Sequence, residues 1–262
     1  MNLRQLLIKV SKGEISVDEA EKLIKLYGIE IIGEFAKYDI GREVRIGYPE
    51  IIFAEGKDPN HLKEIIKRVL DKSERVIVSR VTEKDYPIIE EFKKEYKVYS
   101  DKMRRIFVIK DKNYKIQKTG GKIGIIAAGT SDIPYAEEVK IIDQELGCDV
   151  YTSYDAGIAS LKRFLDSLTK VISKDVDVIV AVAGMEGALP SVVRSLVDIP
   201  VIGLPLSIGY GYGGRGEAAL MSMLQSCSAG LLVVNIDNTV GAALAAASIA
   251  NRVAKFRETK TC

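Results

Sequence analysis

The second half of the chain carries short runs rich in Ile, Val, Ala and Gly: GKIGIIAAG (121–129), DVIVAVAG (177–184), PVIGLPL (200–206) and GLLVVNID (230–237), with DVYTSY (149–154) among them. Most are apolar along their whole length instead of alternating, as strands covered on both faces of a parallel sheet are. Helical patterns fill the gaps at about 133–146, 159–172, 187–197 and 217–227, with a last one at 239–256. This alternation predicts a doubly wound, parallel α/β sheet in a three-layer sandwich. Short strand-to-helix loops then put any ligand at the carboxyl ends of the strands.

The 262 residues are enough for one large domain or two small ones. Composition changes near residue 115, from dense Lys, Arg and Glu to Gly, Ala, Ile and Val, and KDKNYKIQKTGG (110–121) reads as a linker. We expect a smaller N-terminal α/β domain over 1–115 and a larger domain over 120–262. The first half opens with helical patterns at roughly 2–11 and 16–27, the second started by a Ser16/Glu19 capping box. The glycine-punctuated stretch YDIGREVRIGYPEIIFAEGKD reads as extended. A helix near 60–71, the strand RVIVSRV, a helix near 84–95 and the strand IFVIK follow.

Lys and Arg number 38 against 36 Asp and Glu, for a net charge of +2, so no basic excess advertises nucleic acid. Cys148, Cys227 and Cys262 form no C-x-x-C pair, which argues against zinc and disulfides and fits a reducing compartment. The single histidine, His61, argues against a His-rich metal centre and a Ser-His-Asp triad. The opening MNLRQLLIKVSKGE acquires charge too early for a signal peptide. No window reaches the ~18 apolar residues of a membrane span without a charge. A cytoplasmic protein without membrane contact is expected.

The strand tips hold the candidate chemistry. After the first comes Gly129-Thr130-Ser131-Asp132 ahead of Pro134. Amides and oxygens there suit a phosphate or ribose, though Ser131 or Asp132 would equally serve as a plain helix cap. After the third comes Gly184-Met185-Glu186-Gly187. Glu186 either complements a helix N-terminus or stands in a partly desolvated cleft, tuned for proton transfer. After the fourth, Gly209-Tyr210-Gly211-Tyr212-Gly213-Gly214-Arg215-Gly216 has five glycines in eight residues, a loop able to close over a ligand. It is neither a P-loop nor G-x-G-x-x-G.

Cys227 precedes the glycine that stops a helix. A free cysteine is usually a small buried hydrophobe, and a helix C-terminus raises a thiol pKa, so its activation needs neighbours. Asp39, Arg42, Arg45, Glu50 and Lys57 crowd a glycine-rich segment that reads on its own as a solvated ribbon.

The run from GKIGIIAAGTSD to NIDNTVGAALAAASIA resembles the class I aminoimidazole ribonucleotide carboxylase/mutase (PurE) family, flavodoxin-like in fold. The likeness rests on Gly129-Thr130-Ser131-Asp132, VAVAGMEGALP, DIPVIGLPL and the Ala-rich last helix. Two departures matter. The mutase's catalytic histidine falls on Ala188, and its Ala-His-Arg loop is replaced by Tyr154-Asp155-Ala156-Gly157. Over about residues 2–257 the chain is instead similar to the LarB family of pyridinium-3,5-biscarboxylic acid mononucleotide synthases. The motifs are Asp39-x-x-Arg42-x-x-Arg45-x-Gly47-x-Pro49-Glu50, Gly56-Lys57, AGTSD, AGMEGALPSVV, SIGYGYGGRGEAAL, LQSC and NIDN.

That resemblance implies carboxylation of the pyridinium ring of nicotinic acid adenine dinucleotide by CO2, with cleavage of the phosphoanhydride to release AMP. It implies Cys227 as the thiolate that adds to ring C4, making an enamine-like dihydropyridine whose C5 attacks CO2. The cationic ring would itself favour a thiolate nearby. Glu186 is then the proton-transfer residue and Asp132 shares the polar work. Substrate contacts are implied for Gly129, Thr130, Ser131, Asp155, Gly184, Met185, Gly187, Ser207, Gly209, Asp237 and Asn238, with Arg42 and Arg45 on the phosphoanhydride. No tightly bound cofactor and no protein metal site are expected. CO2 is the co-substrate, and Mg²⁺ on the phosphates is left open. The partners are a small dinucleotide and further copies of the chain, an octamer in the PurE-like family. The competing readings are the purine mutase, which the missing histidine opposes, and a nucleotide-binding protein without turnover.

Overall fold

A computed structural model describes residues 3–26 and 28–259. The chain divides into two compact units, residues 1–114 and 115–262.

In the first unit, α1 (Leu3–Ser11) and α2 (Val17–Leu26) precede a hairpin of β1 (Glu30–Ile32) and β2 (Ala36–Tyr38). Ser16 and Glu19 cap α2 reciprocally: the Glu19 amide donates to the Ser16 hydroxyl and the Ser16 amide to the Glu19 carboxylate, both at 3.1 Å. After α3 (Arg42–Ile46) come β3 (Ile52–Phe53), α4 (Pro59–Leu70), β4 (Arg75–Ser79), α5 (Tyr86–Glu91), β5 (Lys97–Ser100) and β6 (Phe107–Lys110). The four-stranded sheet runs β3-β4-β6-β5, with β3 parallel to β4 and the other pairs antiparallel. The stretch expected to be extended contains α3, stopped by Gly47 in the left-handed region. Sequence reading also missed the β1–β2 hairpin and β5, which are only three and four residues long.

The second unit is the three-layer sandwich. Its strands β7 (Lys122–Ala127), β8 (Asp149–Ser153), β9 (Val178–Ala183), β10 (Val201–Pro205) and β11 (Leu231–Val233) are all parallel, in the order β11-β10-β9-β7-β8. The helices are α6 (Ile133–Glu145), α7 (Leu161–Ile172), α8 (Leu189–Leu196), α9 (Glu217–Leu224) and α10 (Thr239–Thr259). Phe164, Leu168 and Val171 of α7, Leu189 and Val193 of α8 and Ala219 and Met223 of α9 pack in one core with Ile126, Ile179, Ala181 and Val201. Helix α10 lies along α6 and on the strands, burying Ala242, Ala243, Ala246, Ala247, Ala250 and Ala254. The small side chains thus serve close packing within the chain.

Burial explains the strand sequences. Central β9 is buried at every residue, whereas edge strand β8 is mostly half-buried, which is why DVYTSY is the least apolar run. Two predicted elements are shorter than expected. Helix α9 ends at Leu224, leaving Cys227 beyond it, and β11 ends at Val233, because Asp237 takes a left-handed backbone and its amide turns back to the Pro205 carbonyl at 2.9 Å. The C-terminal end of the expected linker belongs to the second unit: the Thr119 amide donates to the Gly147 carbonyl at 3.1 Å, and Lys118 pairs with Asp149 at 2.8 Å. Cys262 lies outside the described residues.

Candidate active site

Strand order reverses between β8 and β9, which flank β7, so a crevice opens at the carboxyl ends of β7 and β9. A cavity of ≈ 520 Å³ lies there, the size of a nucleotide site. It is lined by the segments after four strands: 128–132, 155–163, 183–189 and 208–210.

Asp132 is the buried carboxyl of this cavity, 4% exposed. It ends a single 3₁₀ turn, Thr130–Asp132, and reaches back so that Oδ2 accepts the Gly129 amide at 2.8 Å. Burial pushes its pKa up from the ordinary carboxyl value, while the amides of Gly129 and Gly184 pull it down. Asp132 therefore lines the cavity, and its carboxylate closes the 3₁₀ turn on the Gly129 amide; it makes no side-chain cap hydrogen bond to α6, so the expected helix cap is not formed by this side chain.

The turn after β9 is built tightly. A Cβ on Gly184 would stand 2.2 Å from the Ile208 carbonyl oxygen, and one on Gly187 2.7 Å from the Ala219 backbone. Gly187 and the non-glycine Met185 both take positive φ, at 64° and 45°. The Met185 amide donates to the Ile208 carbonyl at 3.1 Å, tying this turn to the glycine loop. Met185 and Glu186 are carried to the surface as a result. Glu186 lines the cavity at its exposed lip, which corrects the expectation of a desolvated carboxylate at that position; the desolvated one is Asp132.

Of the expected contacts, Gly129, Ser131, Asp155, Gly184, Met185, Gly187 and Gly209 line the cavity with Asp132 and Glu186. The others lie elsewhere. Thr130 is exposed at the start of its turn. Asp237 holds the loop by accepting the Ser207 amide at 2.8 Å, and Asn238 caps α10 by accepting the Gly241 amide at 2.8 Å. Arg42 and Arg45 belong to the first unit, where Arg45 pairs with Asp39 and Asp39 in turn donates its amide to Glu50 at 2.7 Å. Cys227 does not line the cavity of its own chain. It is exposed, in the turn between α9 and β11, and the nearby sequence positions Met221, Leu224 and Leu232 carry exposed apolar side chains. Cys148 is buried, its thiol pushed up to about 12 mainly by desolvation.

Sequence reading missed Arg163 as a lining residue; Tyr210 was expected only as part of the loop able to close over a ligand, and Ala188 only as the position of the mutase's histidine. Arg163 is on the first turn of α7, where a basic residue reads as part of a solvated face. No histidine lines the cavity; His61 is on α4 of the first unit and stacks on Phe35 with ring centroids 4.1 Å apart. Among the described residues, no three His, Cys, Asp or Glu side chains gather as a metal site, and no helix is long and apolar enough to cross a membrane.

A doubly wound sheet with a cavity of small-molecule size at the switch point, lined by a buried aspartate and two glycine turns, places this unit in the α/β class. Residues 122–260 match the AIR carboxylase family, and residues 29–111 match the LarB/PurE-like N-terminal domain. The chain belongs to the AIR carboxylase family and carries the LarB/PurE-like N-terminal domain in front of its carboxylase domain. An uncharacterised protein of Methanocaldococcus jannaschii is 43% identical over 95% of this chain and 97% of its own length. An N5-carboxyaminoimidazole ribonucleotide mutase of Pyrococcus horikoshii is 31% identical over 48% of this chain and 71% of its own length. Among solved structures, a ribose 5-phosphate isomerase of Thermotoga maritima aligns over 51% of this chain and 86% of that chain, at 14% identity and a TM-score of 0.29, too loose a likeness to carry weight.

Proposed function

We propose that the protein carboxylates the pyridinium ring of nicotinic acid adenine dinucleotide with CO2 and hydrolyses the phosphoanhydride, yielding pyridinium-3,5-biscarboxylic acid mononucleotide and AMP. The observation that carries this reading is the cavity wall itself: Ala188 stands where the purine mutase motif has its histidine, and the ionisable groups present are three carboxylates, one arginine and the phenol of Tyr210. The purine mutase motif uses a histidine for proton transfer, and no histidine lines this cavity. A cationic ring is attracted to carboxylates.

The chemistry is redox-neutral. The Cys227 thiolate adds to ring C4, and the electron pair moved into the ring makes C5 nucleophilic. C5 forms a bond to CO2. A carboxylate then takes the C5 proton, and expulsion of the thiolate restores the aromatic ring. Asp132 suits the proton-acceptor role better than Glu186, because its raised pKa brings it toward the operating pH. Glu186, at the lip, suits closure over the ligand with Tyr210. Water completes the cleavage, and a Mg²⁺ ion serving that step would ride on the diphosphate.

Cys227 does not line the cavity of its own chain, so this reading assigns the thiol to a second copy in the expected homo-oligomer. The exposed apolar side chains of Met221, Leu224 and Leu232, on the same helix–turn–strand segment, suit such a contact. The test is AMP release. AMP formation that requires both the dinucleotide and bicarbonate supports the reading, while turnover of carboxylated aminoimidazole ribonucleotides without it would replace the reading with the purine mutase.

A further inference from the structure

Besides the phenol of Tyr210, the wall of the cavity has four ionisable side chains: Asp132, Asp155, Glu186 and Arg163. Three are acids. An anionic phosphate entering this cavity meets one cation, and that cation is already engaged: Arg163 Nη1 donates to Asp155 Oδ2 at 2.9 Å. Both side chains are about half exposed, 48% and 46%, so water screens the pair and it contributes little to stability. Asp155 takes one arm of the guanidinium, whereas a phosphate can accept both.

Asp155 is set in place by its backbone. Its φ is +52°, a left-handed value uncommon outside glycine, and the neighbouring Ala156 amide is fixed to the Ala127 carbonyl at 2.9 Å. On the other side, the Tyr154 hydroxyl donates to Glu137 of α6, and Glu137 also accepts Lys140 at 3.0 Å. Two anchored neighbours thus hold Asp155 against the first turn of α7, where Arg163 sits.

The charges are also sorted by position in the sheet. Asp155 and Arg163 follow β8, the edge strand, whereas Asp132 and Glu186 follow β7 and β9, the central pair. We propose that Arg163 is the phosphate-recognising residue of the site, held ready by Asp155 until a phosphate displaces that carboxylate. A nucleotide with a cationic ring and an anionic tail then binds in one orientation, ring over the β7–β9 acids and phosphate toward the β8 edge. The orientation rests on the pyridinium reading above; the role of Arg163 does not.

Calorimetric titration of the full-length protein with three probes separates these points. Nicotinic acid mononucleotide and nicotinic acid riboside share a cationic ring and differ by the phosphate; aminoimidazole ribonucleotide keeps the ribose phosphate on a neutral ring. The wild type is expected to bind the mononucleotide about tenfold or more tighter than the riboside, the scale of a charged hydrogen-bond pair. Arg163→Gln brings the mononucleotide down to the affinity of the riboside and leaves the riboside unchanged. Asp155→Asn tightens the mononucleotide and leaves the riboside unchanged. An Arg163→Gln variant that keeps the advantage of the phosphate, or weakens the riboside equally, overturns the proposal, as does a wild type that binds no phosphate-bearing probe. If the aminoimidazole nucleotide binds more tightly than the pyridinium one and Arg163→Gln weakens both, the arginine assignment stands and the pyridinium reading falls.

Discussion

The Asp132 carboxylate and the Gly184 backbone meet across the switch point of the sheet. One residue ends the turn after β7, the other starts the turn after β9, and the Gly184 amide is among the groups that lower the pKa burial has raised on Asp132. The catalytic candidate and the turn that shapes the cavity are thus mechanically one unit. Asp132→Asn keeps an oxygen for the Gly129 amide but removes the base. Turnover should fall by ~10²–10⁴-fold with the fold retained by circular dichroism, and Glu186→Gln should cost less. A larger loss for Glu186→Gln would exchange the two roles.

Gly184 tests the geometry independently. With a Cβ 2.2 Å from the Ile208 oxygen, Gly184→Ala must push the 208–210 segment away. Overpacking of this kind costs about 1–3 kcal/mol. We expect a lower unfolding midpoint in denaturant, together with weakened substrate binding, whereas Gly211→Ala, which has open space but a φ of +80°, should show only the backbone strain.

How much of this was legible in the sequence differs by residue. The sheet was readable because parallel strands have to be apolar on both faces, and VIVAVA is. Asp132 was readable as a strand-tip acid. The reversal at Glu186 was not: an acid after an apolar strand suggests desolvation, but the positive φ of Met185, which carries residues 185 and 186 outward, leaves no mark in residue type. Arg163 was hidden because its partner Asp155 is eight residues away, across a loop whose path the sequence does not specify.

Asp143 gives a stability prediction. It is fully buried on α6, both carboxylate oxygens lack hydrogen-bond partners, and desolvation holds its pKa well above 3.8. With the folded pKa raised, the folded state binds the proton more tightly than the unfolded one. Its contribution is complete below 3.8 and is lost as pH rises toward the folded value, at up to about 1.4 kcal/mol per pH unit. Asp143→Asn should remove that fall, so that the variant gains on the wild type as pH rises from 4 to 7. Parallel urea midpoints for the two proteins across this range would contradict it.

The two described cysteines should differ sharply toward a thiol reagent. In a Cys262→Ser background, exposed Cys227 is expected to label in the native protein, and buried Cys148, its thiol pushed up to about 12, only on unfolding. Rapid native labelling of Cys148 would show that the α6–α10 packing opens.

Delivery of Cys227 from a second copy has its own readout. Cys227→Ala and Asp132→Asn should each be inactive, and co-expressed in equal amounts they should recover about a quarter of wild-type activity, since a quarter of the randomly assembled sites pair an intact thiol with an intact carboxylate. No recovery would place both groups on one chain.

The most direct test of the central claim uses carbon-13 bicarbonate with nicotinic acid adenine dinucleotide, read by mass spectrometry. The account predicts AMP and a biscarboxylated pyridinium mononucleotide carrying one labelled carboxyl, both lost in Cys227→Ser. Release of AMP with no label in the mononucleotide, or an unlabelled and uncleaved dinucleotide from folded, Mg²⁺-supplied protein, would contradict it.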